Sequence, residues 1–161
     1  MALELVETVE VGAGGASSIE FTSIPQDGVD LLLKVSGRGS DSTSSANISI
    51  NGDTTNANYT RLGLQGNGSS VSTFQQSFRP YISLTDSGDT ANTFGSGQLY
   101  IPNYTASAAK SMSIETVEEN NATATEMILW AASHTNTSPV TSLSLTANFV
   151  EGSSASLYKI S

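Results

Sequence analysis

The sequence predicts an all-β protein: a single antiparallel β-sandwich domain over residues 1–161, jelly-roll-like, with about ten strands. Three observations carry that prediction. Apolar residues recur with period two along most of the 161-residue chain, the mark of strands with one face in a core. Turn signals made of Gly, Pro, Asn and Asp interrupt the alternation about every ten residues, as in sandwiches and barrels. No heptad, long amphipathic helix or fixed-period repeat competes with it.

The elements follow in order. Leu3, Leu5, Val9 and Val11 alternate with Glu4, Thr8 and Glu10, with a phase slip near Val6 that fits a bulge. Gly12-Ala-Gly-Gly15 ends this strand. Ile19 and Phe21 form the next, stopped by Ile24-Pro25-Gln-Asp-Gly28. Val29, Leu31, Leu33 and Val35 share one face of the clearest core strand of the first half, and Leu32 on its other face points to cover on both sides. A Gly- and Ser-rich loop over 36–45 leads to Ile48 and Ile50 and then to Asn51-Gly52-Asp53, a turn whose Asn and Gly accept positive φ. Tyr59 to Leu64 is a short strand. Phe74 to Leu84 is less regular, because Pro80 demotes part of it to an edge or a bulge. Leu99 to Tyr104 runs into Pro102, and Met112, Ile114 and Val117 precede Met127 to Ala132. The single helical candidate, Glu118 to Trp130, is interrupted by Asn-Asn-Ala-Thr-Ala-Thr, which favours a turn and a strand. Residues 139–161 read as two short strands joined at Glu151-Gly152, the second closing the module.

Composition narrows the function classes. Hydrophobic residues make 37% of the chain and charged residues only 13%, so Ser, Thr and Asn fill the solvent faces of the strands. Fifteen acidic against six basic residues give a formal charge of −9 and no Lys/Arg cluster, which argues against nucleic acid and against anionic membranes as partners. No run approaches the roughly 18 apolar residues of a membrane span. Glutamates among the first eleven residues stand where a secretory signal carries basic ones, so no signal peptide is expected, and the six Asn-x-Ser/Thr sequons, from Asn47 to Asn136, are expected by chance in so Asn- and Thr-rich a chain. The absence of cysteine removes disulfides, thiol catalysis and Cys-ligated zinc.

No enzymatic site and no cofactor are expected. The one histidine, His134, falls in Ser133-His-Thr-Asn-Thr-Ser138 and reads as a solvated loop residue, and no Gly-x-Ser-x-Gly elbow precedes a helix. Glu115, Glu118 and Glu119 read as a solvated edge rather than a pair of carboxylates facing across a cleft. Asp53, Asp86 and Asp89 lie in glycine turns where calcium could sit, but without the spacing or closing Glu of an EF-hand they read as turn formers, and no metal site is assigned. Trp130 reads as core. Tyr100 and Tyr104 flank Pro102 near a strand end and, with Tyr81, are the candidates for a glycan or subunit contact.

Several segments carry a resemblance. Ser18-Ile-Glu-Phe-Thr-Ser-Ile-Pro25 followed by Asp30-Leu-Leu-Leu33, then Asn51-Gly-Asp-Thr-Thr55 with Asn58-Tyr-Thr60, then Ile101-Pro-Asn-Tyr104 and the closing Ser154-Ala-Ser-Leu-Tyr-Lys-Ile160 resemble the small β-rich virion proteins of tailed bacteriophages, especially those of marine and cyanobacterial hosts. These are strand and turn patterns, so the resemblance implies a structural role and transfers no catalytic residue. It implies location in the virion and either capsid decoration or a fibre or appendage module. With no coiled-coil or stalk sequence beside the module, capsid decoration ranks first. The implied partners are the major capsid protein and other copies of the same chain, a trimer by analogy; the alternative is a tail- or head-fibre module that binds a host surface glycan.

Overall fold

The computed structural model describes residues 2–42, 44–121 and 124–161, with only the backbone of Asn120 and Ala124. Met1, Thr43 and the middle of the turn expected near Asn121 lie outside the described residues, as does the rest of the Asn121 sequon. The chain forms β1 (Leu3–Glu10), β2 (Ala16–Phe21), β3 (Asp30–Gly37), β4 (Ser45–Ile50), a short 3-10 turn (Asn56–Asn58), β5 (Tyr59–Gly66), β6 (Val71–Gln76), β7 (Tyr81–Ser83), β8 (Gly95–Ile101), β9 (Lys110–Asn120), β10 (Ala124–His134), β11 (Leu143–Phe149) and β12 (Ser154–Ile160). The all-β antiparallel architecture is as the alternation predicts. Twelve strands form against about ten expected.

The strands make an eight-stranded sheet, β1-β12-β3-β8-β9-β10-β5-β6, and a four-stranded sheet, β2-β11-β4-β7. Pro80 accounts for part of the larger count. The stretch from 74 to 84 splits around it into β6, an edge of the large sheet, and β7, an edge of the small one. A proline has no N–H for an inner ladder, so the chain changes sheets where it stands. The phase slip near Val6 is a bulge: the β1–β12 register shifts between Leu5 and Glu7. Glu118 to Trp130 is a hairpin of two long strands rather than a helix.

The core lies between the sheets. Leu31, Leu33 and Val35 of β3, Leu99 and Ile101 of β8, Met112 and Ile114 of β9, and Ala155 and Leu157 of β12 face Ile19, Phe21, Ile48, Ile50, Ile82, Leu143, Leu145 and Phe149 of the small sheet, all buried. Val29 departs from the sequence expectation: it precedes β3 and is exposed. The layers meet closely at Gly97, where an added Cβ would come within 2.4 Å of Cγ2 of Ile82. Toward the β6 edge of the large sheet Trp130 fills the space under Gly63, whose added Cβ would lie 2.7 Å from the indole ring. Phe74 and Tyr81 meet that indole edge-on at 4.8 and 4.9 Å. Asn51 and Gly52 take the predicted positive φ, 51° and 71°, and the freed Asn51 amide clamps the start of the last segment: Oδ1 accepts from the N–H of Thr141 at 2.8 Å, and Nδ2 donates to the carbonyl of Pro139 at 2.8 Å.

Candidate functional site

Period-two alternation turns one set of side chains of the eight-stranded sheet away from the small sheet, and strand register determines what stands on that outer face. On β12, β3 and β8, successive cross-strand rows read Ser154, Ser36, Ser96 and then Ser156, Lys34, Gln98. Four small serines beside longer neighbours leave a groove of about 500 Å³, lined also by Glu115, Val117 and Tyr158. Gln98 donates to Glu115 at 3.0 Å across its floor. On the other half, the rows across β6, β5, β10 and β9 read Gln75, Leu62, Ala131, Ser113, then Thr73, Leu64, Leu129, Glu115, then Val71, Gly66, Met127, Val117. Here the outward side chains are mainly apolar. They bound a shallow depression of about 360 Å³.

The three tyrosines singled out in the sequence do not converge. Tyr104 is fully buried; its hydroxyl donates to the carbonyl of Pro25 and accepts from the N–H of Gly28 at 3.2 Å, so it secures the 25–28 turn and is not a rim residue. Tyr100 is half-buried on β8 and donates to Asp30 at 2.6 Å; that carboxylate also accepts the N–H of Asn103 at 2.9 Å. The bond to Asp30 raises the Tyr100 hydroxyl pKa. Tyr81, half-buried on β7, packs on Trp130 beneath the Arg61 guanidinium, which lies 4.9 Å from both rings. Only Tyr100 keeps an outward-facing surface, in the row beside Leu32 and Tyr158.

His134 overturns the solvated-loop expectation. It is the last residue of β10 and is 1% exposed. Its Nε2 lies 3.0 Å from Oδ2 of Asp53, and its ring stacks on Tyr59 at 4.3 Å. The hydrogen bonds from His134 and Asn58 and the backbone N–H of Thr55 hold the Asp53 carboxyl well below the usual carboxylate range. Tyr59 in turn donates to the carbonyl of Asp53 at 2.9 Å and accepts from the N–H of Ile50 at 3.0 Å. This group joins the end of the β9–β10 hairpin to the turn after β4.

The acidic residues also separate. Glu115 is exposed in the groove, whereas Glu119 accepts from the N–H of Thr90 and the hydroxyl of Thr93 at 2.8 Å each, so it organises the 86–93 loop. Glu118 is half-buried with Oε2 out of solvent and unbonded, and burial, followed by the charges of Glu126, Asp89 and Asp86, pushes its pKa up to about 8. Asp86 and Asp89 accept backbone N–H groups of Gly88 and Asp86 at 2.7 Å each, which is turn chemistry. Lys110, buried, donates to the carbonyls of Ala106 and Ala108 and holds the loop before β9. Among the described residues no three His, Cys, Asp or Glu side chains are grouped to hold a metal ion.

The groove residues Lys34, Ser36, Ser96, Gln98, Ser154 and Ser156 were not singled out by the sequence, because their convergence depends on β12 lying between β1 and β3. No family model, no curated protein and no solved structure matches this chain.

Proposed function

We propose that the protein is a non-enzymatic virion component of a tailed bacteriophage that decorates the capsid, docking on the major capsid lattice and stabilising the head. Its phage assignment rests on the strand and turn segments quoted above. The observation that carries the decorating role is the eight-stranded sheet backed by a second layer, a broad stiff tile whose outer face offers area rather than a deep pocket. Each copy needs only a modest interface, because repeated sites on a lattice act together. We further read the fold as a jelly roll widened by two hairpins. Without β5–β6 and β9–β10, the sheets become β1-β12-β3-β8 and β2-β11-β4-β7, the strand order of two interlocked Greek keys. Electron cryomicroscopy of the assembled particle tests the role: density for this chain is expected over the head surface, and density confined to the tail would sink it.

The second reading, a saccharide-binding module of a fibre, is favoured by one observation. The serine-floored groove sets hydroxyls, the Lys34 ammonium and the Gln98–Glu115 pair beside the Tyr158 ring, a mixture of hydrogen-bonding groups and an aromatic flank that suits a sugar. A glycan array decides it. Binding abolished by Gln98→Ala and Lys34→Ala supports this reading; no binding to any glycan removes it.

A further inference from the structure

We infer that the outer face of the β6-β5-β10-β9 half of the large sheet is the seat of a second copy of this chain, packed face to face about a two-fold axis. The chain has ten exposed large apolar side chains among the described residues, and six of them, Leu62, Leu64, Val71, Val117, Met127 and Leu129, stand on these four adjacent strands. Each is between 39% and 73% exposed, which together leaves on the order of 500 Å² of apolar surface, near the top of what the largest patch on a monomer reaches. With its rim of Gln75, Thr73 and Ser113, the face approaches the roughly 800 Å² per partner of a standard interface.

Charge selects the occupant. Two copies of a chain with a net charge of −9 repel each other, so they associate only through a face that carries almost no charge. Across these rows Glu115 is the one ionisable residue, and it stands at the margin, bonded to Gln98. A basic partner would be drawn elsewhere, to the acidic surface. A two-fold contact uses the same patch on both copies, whereas a ring needs a second, complementary patch. Leu3 and Leu5 on β1 are the nearest alternative, but they are only two side chains, with Glu4 between them and Glu7 shortly after. The inference does not depend on the virion role, since it concerns the free protein.

Sedimentation equilibrium of the full chain at tens of micromolar tests it. The expected mass is two copies, with association strengthened by added salt, because screening relieves the repulsion; a contact with an oppositely charged partner would weaken instead. The double variant Leu64→Glu, Leu129→Glu is expected to sediment as a single copy with an unchanged circular dichroism spectrum, and Ser156→Glu, three strands away from β9 on the polar half, to remain paired. A wild-type protein of one copy or of three, or a pair untouched by the double variant, overturns the inference. Should the double variant fail to fold, cysteine cross-linking decides: the chain has no cysteine, so Leu129→Cys is expected to yield a disulfide-linked pair on oxidation at least tenfold faster than Ser156→Cys. Equal rates overturn it.

Discussion

The two halves of the large sheet share one backbone ladder and differ in what they show to solvent. On β12, β3 and β8 the alternation is conventional, with apolar residues toward the small sheet and serine, lysine and glutamine outward, and on the edge strand β1 only Leu3 and Leu5 break it. On β9, β10, β5 and β6 leucine, methionine and valine also stand outward, while the inner side carries Trp130, Phe74 and Arg61, met by Tyr81 from the edge strand β7 of the small sheet. The small sheet has only four strands, so it does not span an eight-stranded layer. The hairpin half therefore fills its inner side with large aromatics, and its surplus apolar character appears on the outside. Period-two patterning identifies strands in both halves, but the hairpin half departs furthest from the rule that one face is wet.

Four measurements test this contrast. The largest effect is expected at Trp130, which replaces the missing second layer: Trp130→Ala lowers unfolding free energy by about 3–5 kcal/mol, read by urea denaturation, and a loss under 1 kcal/mol would mean the hairpin half holds without its aromatic core. Next, His134→Ala removes the stack on Tyr59 and one of the three hydrogen bonds on the Asp53 carboxylate, at a cost of about 1–3 kcal/mol; hydrogen exchange is expected to rise most at the ends of β9 and β10. On the other half Gly97→Ala drives a methyl into Ile82, costing about 1–3 kcal/mol by overpacking, and Ile82→Ala in the same chain is expected to recover part of it.

The smallest effect follows pH. Glu118 has a folded-state pKa near 8 against 4.5 when free, so the folded protein binds the proton more tightly. That stabilisation is complete below pH 4.5 and is lost as pH rises through 8. The thermal midpoint is expected to fall by a few degrees between pH 5 and pH 9, a modest change because the half-exposed carboxyl is screened. Glu118→Gln should flatten the profile and leave the wild type the less stable of the two at pH 9. An unchanged slope in the variant would assign the trend to another group.

Much of the fold was legible because Leu31, Leu33 and Val35, or Ile48 and Ile50, announce both strand and buried face with no help from distant residues. The Asn51-Gly52 turn was legible for the same reason: positive φ is a local requirement. Pairings were not. His134 looks like loop because its neighbours are polar, and nothing in Ser-His-Thr-Asn signals that Asp53 and Tyr59, more than seventy residues earlier, enclose it. Tyr104 misled in the opposite sense. A tyrosine after a proline at a strand end suits a rim, and only the return of the 25–28 turn buries it. The groove was beyond reach, since Ser36, Ser96 and Ser154 lie in three separate segments that register alone aligns.

The pairing of β1 with β12 has a mechanical consequence. Ala2 and Ser161 exchange backbone hydrogen bonds at 2.8 and 3.1 Å, so positions 2 and 161 sit side by side at the same end of an antiparallel ladder. Tension applied between these two points loads the ladder bonds one after another and opens it like a zipper, at low force. Pressure across the layers instead meets all the packed side chains together. The molecule is thus stiff toward a push on its faces and soft toward a pull on its ends.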